Sequence, residues 1–259
     1  MIKIKRLYFD IETSPNVVFS WSVGHKINLT HDNILQERAI ICICYKWEGD
    51  DKVYSVQWNK GDDRKMLVEF MKVMSQADEV VGHNSDNFDI KWLRTRCLYH
   101  GIEAFPEYNS VDTYKFAKSY FRFNSNKLDY ISKFLGHEGK TPTGYALWKA
   151  IVLNNDKQAM DEMVQYCKND VLILEKVHKE MKNYTKYKTH VAHLHDGYKS
   201  DCPECASTNI QSRGYSISLS GYRKRRCQCQ DCGKWFSVHL GTYNKEQSDK
   251  LKRNKTNVR

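Results

Sequence analysis

Residues 7–13 read Leu-Tyr-Phe-Asp-Ile-Glu-Thr, an apolar, strand-like run carrying two carboxylates two positions apart. Strand side chains alternate between faces, so Leu7, Phe9 and Ile11 share one side while Tyr8, Asp10 and Glu12 share the other. Two acids side by side at the end of a buried strand repel each other, and one is driven to protonate unless a cation lies between them. The pair asks for a metal ion. The competing reading, a strand with one solvated face, stands equal to it on this segment alone.

Further strands are predicted over 38–47 (RAIICICYKW) and 52–58 (KVYSVQW), both rich in β-branched and aromatic residues. Residues 62–77 place Met66, Leu67, Phe70, Met71, Val73 and Met74 at helical spacing. DEVVGHN (78–84) reads as a short strand feeding a helix that Gly101 ends. SVDTYKFAKSYF (110–121) and NKLDYISKFLG (126–136) read as two more helices, and residues 156–182 as a longer one. Strands first, then alternation with helices, predict an α/β fold with a mixed sheet flanked by helices.

Two further acids stand at places where α/β proteins use them. Asp89 opens a helix directly after a strand, at the carboxyl edge of the sheet where ligands bind. In YCKND, Tyr166 and Asp170 are four residues apart and so share one helical face. Taken singly, each reads as an ordinary helix acid.

Together the three segments resemble the three motifs of the 3′→5′ exonucleases with an RNase H-like fold and four catalytic acids. Asp-x-Glu is FDIET, Asn-x-x-x-Phe-Asp is NSDNFD (84–89), and Tyr-x-x-x-Asp is YCKND (166–170). The resemblance extends over residues 1–182 and is strongest to the proofreading domain of family B DNA polymerases. It implies two Mg²⁺ or Mn²⁺ ions held by Asp10, Glu12, Asp89 and Asp170, and hydrolysis of the terminal phosphodiester to nucleoside 5′-monophosphates; one acid could bridge both ions, and Asp10 is the candidate. Tyr166 marks the tyrosine subclass, since Gln165 stands where the sister subclass has histidine. With a reference pKa of about 10, a phenol aligns the attacking water rather than deprotonating it. His83, Asn84 and Phe88 are expected to line the site or meet the terminal nucleotide. Asp112 resembles a recurrent position outside the metal set.

The last quarter of the chain differs in charge and in cysteine content. Residues 186–259 carry 15 Lys and Arg against 6 Asp and Glu, while residues 1–185 carry 26 against 25. A basic segment on a neutral body points to a polyanion, most simply nucleic acid, against the alternative of a solubilising tail. Cys42, Cys44, Cys97 and Cys167 are scattered and read as buried small hydrophobes. CPEC (202–205) and CQDC (229–232) are Cys-x-x-Cys knuckles separated by 23 residues, the spacing of a zinc ribbon with Cys202, Cys205, Cys229 and Cys232 on one Zn²⁺. Between them a hairpin is expected to turn near Ser220 and Gly221. Cys227 could compete for the metal, and His193 and His195 are secondary ligand candidates. Arg223, Lys224, Arg225, Arg226 and Trp235 are expected to grip nucleic acid through phosphate contacts and base stacking.

These readings give an exonuclease domain at 1–185, a linker at 186–200, a zinc ribbon at 201–242 and an unstructured basic tail at 243–259. No apolar run approaches the roughly 18 residues of a membrane span, and the first residues lack a signal-peptide core. A cytoplasmic protein is expected, in a bacterial or phage-infected cell, with DNA favoured over RNA as its partner. No polymerase motifs follow the exonuclease motifs, so any polymerase or replication protein it serves would be a separate chain. The rival readings are an exoribonuclease, a non-catalytic adaptor and, less favoured, a nicking endonuclease.

Overall fold

The computed structural model describes residues 4–24, 26–141 and 143–256. The chain forms two compact units, Lys5–His178 and a second that runs from Lys179 onward. Among the described residues no helix is long and apolar enough to cross a membrane.

The larger unit runs β1 (Arg6–Thr13), β2 (Val17–Val18), β3 (Ile34–Gln36), β4 (Ile40–Trp47), β5 (Tyr54–Gln57), α1 (Arg64–Met74), β6 (Glu79–Gly82), α2 (Asp89–Tyr99), β7 (Asn109–Asp112), α3 (Thr113–Tyr120), α4 (Leu128–Phe134) and α5 (Tyr145–Asn154); α6 (Lys157–Met181) follows. Five strands form one sheet in the order β5-β4-β1-β6-β7, with β1 antiparallel to β4 and parallel to β6. This is the mixed α/β sheet expected from the sequence.

The pleat of β1 sends its two sets of side chains to opposite sides. Phe9 lies opposite Tyr45 on β4, and both rings pack on Phe70 of α1, with centroids 5.7 and 5.6 Å away. On the other side Tyr8 Oη is 2.9 Å from His178 Nδ1 of α6, so the face that carries Asp10 and Glu12 is the one this long helix covers. Burying most of β1 on both faces leaves its two acids, Asp10 and Glu12, only partly open to water.

Several features differ from expectation in this unit, including the short paired strands β2 and β3, which the sequence does not announce. Residues 109–112 form β7, paired in parallel with β6, where the sequence suggests a helix from Ser110; four residues are too few for alternation to declare a strand. The helix starts at Thr113 because Asp112 caps it, accepting hydrogen bonds from the Tyr114 and Lys115 amides. Helix α5 was unanticipated although Leu147 and Ile151, both buried, stand one helical turn apart.

In the second unit α7 (Val191–Leu194) precedes a sheet of β8 (Ile210–Ile217), β9 (Arg223–Cys229) and β10 (Trp235–His239), ordered β10-β9-β8, and α8 (Leu240–Thr256) follows. The hairpin between β8 and β9 turns at Ser218–Tyr222, with Gly221 at φ +80°. The expected linker is partly folded, since α7 buries Val191 and Ala192 and its first amide bonds to Pro203 O. The tail expected to be unstructured is instead largely helix α8. Its Tyr243 joins the apolar cluster of Cys227, Phe236 and Val238, and its Glu246 and Lys250 bind the Lys199 and Ser200 amides and Asp201. Those anchors are long-range partners that a polar stretch does not reveal in sequence.

Gly82 at the end of β6 is fixed by close approach: a Cβ there would lie 2.3 Å from Ser85 Cβ. Gly82→Ala should therefore destabilise the protein by about 1–3 kcal/mol in urea unfolding through forced overpacking. Adding Ser85→Gly should restore most of that loss; failure of the double variant to recover would contradict the steric account.

Candidate functional site

Strand β1 and helix α6 deliver the central acids. Asp10, Glu12 and Asp170 each offer a carboxylate oxygen within 4.8 Å of the others. Asp10 and Glu12 share one pleat face, and Asp170 reaches them from α6 one turn beyond Tyr166. Asp89, the first residue of α2, has Oδ1 3.2 Å from the Ile11 amide and stands outside that 4.8 Å set. Its charge is nevertheless among the strongest influences on Asp10.

Burial makes this cluster resist ionisation. Desolvation, then the charges of Asp89, Glu12 and Asp170, hold Asp10 well above the usual carboxylate range. Burial and the charge of Asp170 push Glu12 up to about 8, and burial pushes Asp89 up to about 7. Asp170 is likewise raised, first by desolvation, and its buried Oδ1 has no hydrogen-bond partner among the described residues. An orphaned buried oxygen beside two other carboxylates is a donor set of hard oxygens, which suits Mg²⁺ or Mn²⁺.

One cation is already present. The Lys140 ammonium binds Asp170 Oδ2 and lies 5.5 Å from the centre of the Tyr166 ring. Burial works against its charge, but Asp10 and Asp170 outweigh burial and hold it above the ordinary lysine range. Burial pushes the Tyr166 phenol up to about 12, so it stays protonated at neutral pH. Lys140 was not found by sequence reasoning: it belongs to the loop before α5, and nothing in a lone Gly-Lys-Thr marks it.

The turn carrying Asn84–Asp89 is held by Asp112, which accepts hydrogen bonds from the Asn84 and Asp86 amides as well as capping α3. Asn84 adopts φ +62°, a left-handed conformation that asparagine tolerates. His83 is held at both ring nitrogens, which face Thr113 Oγ1 and Asn126 O at 2.9 Å; burial, with the nearby charge of Lys140 adding to it, lowers the imidazole to about 4. Phe88 is half-buried directly before Asp89.

A cavity of about 380 Å³ opens beside Glu12, lined by Ser14, Pro15, Arg38, Tyr145 and Trp148. Arg38 spans it from Ser14 O (3.1 Å) to Thr13 Oγ1 (2.8 Å), and Trp148 Nε1 donates to Thr13 O at 3.1 Å. Arg38, Tyr145 and Trp148 were also missed, because no local pattern connects Thr13 with Arg38 25 positions on or with Trp148 135 positions on.

In the second unit Cys202, Cys205, Cys229 and Cys232 bring their sulfurs within 4.8 Å of one another, with 3.5 Å between Cys202 and Cys232 and 3.7 Å between Cys205 and Cys229. Four converging thiols are a tetrahedral donor set for a soft or borderline ion. Cys227 stands apart in the apolar cluster and His193 Nδ1 faces Gly197 O, so neither joins the four. The basic run is divided between the two faces of the hairpin. Register pairs Lys224 with His239, Arg226 with Ser237 and Gln228 with Trp235, putting these six on one face; Arg226 lies 5.5 Å from the Trp235 ring centre. Arg225 points to the other face, 4.0 Å over Tyr215 and 5.2 Å from Tyr243.

The raised acids set a pH dependence for the metal-free protein. Folded Glu12 and Asp89 keep protons, up to about 8 and 7, that their ordinary values of 4.5 and 3.8 would release. The unfolded state thus binds fewer protons between about pH 4 and pH 8, and their contribution to stability falls as pH rises across that window, then levels. Glu12→Gln should flatten the fall in thermal midpoint between about pH 5 and pH 8 in chelator; a wild-type slope in the variant would contradict this.

Residues 7–182 match the RNase H superfamily. No curated protein matches the chain. Among solved structures, the family B DNA polymerase of the hyperthermophilic archaeon Pyrobaculum calidifontis aligns with a TM-score of 0.54 at 14% identity, over 86% of this chain and 32% of the polymerase. The chain thus spans about a third of that enzyme's length, and the likeness is one of fold. With the match running from β1 through α6, the chain belongs to the RNase H superfamily.

Proposed function

We propose that the protein is a divalent-metal-dependent 3′→5′ exonuclease of the four-acid, tyrosine subclass. In this reading it acts on single-stranded DNA and carries a zinc ribbon that binds the nucleic acid. The observation that carries the reading is the convergence of Asp10, Glu12 and Asp170 within 4.8 Å, with Tyr166 one helical turn from Asp170. Asp89 completes the set electrostatically. DNA is preferred over RNA because the aligned structure is a DNA polymerase.

Divalent ions held by Asp10, Glu12, Asp89 and Asp170 would activate the attacking water and stabilise the leaving 3′ oxygen. The protein's own groups supply the rest. Tyr166, protonated at neutral pH, orients water by hydrogen bonding. Lys140 keeps a positive charge beside the acids, where a phosphodiester brings its negative charge. The cavity beside Glu12 is large enough for a small ligand, and its Tyr145 and Trp148 give a nucleoside an aromatic wall while Arg38 faces its phosphate. In the ribbon, Lys224 and Arg226 meet phosphates while Trp235, 47% exposed, offers a ring to an unpaired base. Tethering such a module to the nuclease unit raises the local concentration of substrate.

The test is to incubate 5′-labelled single-stranded DNA and RNA of one sequence with the protein in Mg²⁺ or Mn²⁺. A ladder descending from the 3′ end, confined to DNA and abolished by EDTA or by Asp10→Ala/Glu12→Ala, is expected. A ladder on RNA alone would make it an exoribonuclease, and tight binding with both polymers intact would make it an adaptor. Tyr166→Phe should lower the rate by about 10²-fold or more with little change in binding.

Lys224→Ala/Arg226→Ala should weaken single-strand binding and lower the slope of log affinity against log salt by about 0.7 for each phosphate no longer neutralised. An unchanged slope would place the phosphate-binding cations elsewhere.

A further inference from the structure

Immediately behind the acids lies a second group of donors that the proposed reaction does not use. Cys42 and Cys44 on β4 are the cross-strand neighbours of Glu12 and Asp10, and so point to the same side of the sheet. Cys167 of α6 comes down between them, and the three sulfurs lie within 4.8 Å of one another. All three side chains are fully buried, and none is in a disulfide.

We propose that Cys42, Cys44 and Cys167 form a binding site for one thiophilic metal ion, separate from the hard-ion site in front of it and from the four-cysteine set of the second unit. A Zn–S bond of about 2.3 Å sets sulfurs roughly 4 Å apart around an ion. Sulfurs within 4.8 Å of one another are near that spacing, and a contraction of about 1 Å or less closes this group on a cation. A core that needed only volume is equally served by valine or alanine, whereas three thiols at one point are the donor set that selects Zn²⁺, Cd²⁺ or Cu⁺ over Mg²⁺. Cys167 Sγ is 3.7 Å from Asp10 Oδ2, so the two donor sets touch, and an ion that passes the half-exposed Asp10 carboxylate meets sulfur next. Binding displaces the thiol protons to buffer and clamps β4 to α6. The clamp would fix the strand beside β1 against the helix that bears Tyr166 and Asp170, making a thiophilic ion a regulator of the acid site.

The experiment is an anaerobic titration of the zinc-loaded full chain with Cd²⁺, following the ultraviolet thiolate-to-cadmium absorption and, with a chromogenic chelator, any zinc released. Expected is one equivalent of Cd²⁺ taken up without zinc release, and one equivalent fewer in Cys44→Ala and in Cys167→Ala. Cys97→Ala, which removes a buried thiol outside the group, should bind as wild type does. The proposal is overturned if no such absorption develops, if each Cd²⁺ bound releases a Zn²⁺, or if the Cys42→Ala/Cys44→Ala/Cys167→Ala variant retains full uptake. Circular dichroism establishes that each variant is folded. Should the cysteine variants not fold, uptake against zinc release in the wild-type protein decides the matter unaided. None of these outcomes depends on nuclease activity.

Discussion

Asp10, Glu12 and Asp170 hold carboxylate oxygens within 4.8 Å of one another in surroundings that exclude most water, with Asp89 close enough to add its charge. Like charges at such separations in a low effective dielectric repel by several kcal/mol, so the arrangement persists only with protons or cations among them. The larger unit is organised around that demand. Strand β1 lies at the centre of the sheet, α2 begins at Asp89, and α6 crosses the acid-bearing face. Lys140 answers part of the charge by binding Asp170. A single ammonium beside four acids leaves the cluster still disposed to take up protons, as the raised values of Glu12 and Asp89 register.

The rigid supports nearby explain how such a group is held. Asp112 ties the Asn84–Asp89 turn to the start of α3, and Gly82 lets that turn close against β6. The second unit solves a different problem. Its apolar cluster is small, with Cys227, Phe236 and Val238 at its centre. An ion on the four converging thiols would supply much of the folding energy, of order 10 kcal/mol in small zinc modules. Buried Lys234 adds a polar tie, donating to Thr185 O at 2.7 Å and to Lys182 O.

Local patterns exposed those parts of the molecule that depend on local geometry. Alternation in Leu7–Thr13 and the four-residue spacing of Tyr166 and Asp170 are properties of one strand and one helix, so the sheet class and which side chains share a face could be read directly, while the grouping of the acids came from the resemblance of three segments to known motifs. What escaped is what three dimensions assemble. Lys140 reaches Asp170 from 30 positions away, and Trp148 meets Thr13 across 135. Arg225 is separated from Arg226 by the pleat of β9, which a run of four basic residues hides. The partners of His83, Thr113 and Asn126, lie 30 and 43 positions away and are likewise invisible in the local sequence. Helix α8 was obscured because the partners of Glu246 and Lys250 lie about 50 residues upstream.

If the acid cluster is built for divalent cations, it should bind them without any substrate present. Calorimetric titration of Mn²⁺ into the zinc-loaded protein at neutral pH measures this directly. Saturable uptake of two Mn²⁺ accompanied by proton release is expected, abolished in Asp10→Ala/Glu12→Ala. Uptake equal in the wild type and that variant, with no protons released, would contradict a metal-binding role and leave Lys140 as the cluster's permanent counter-ion.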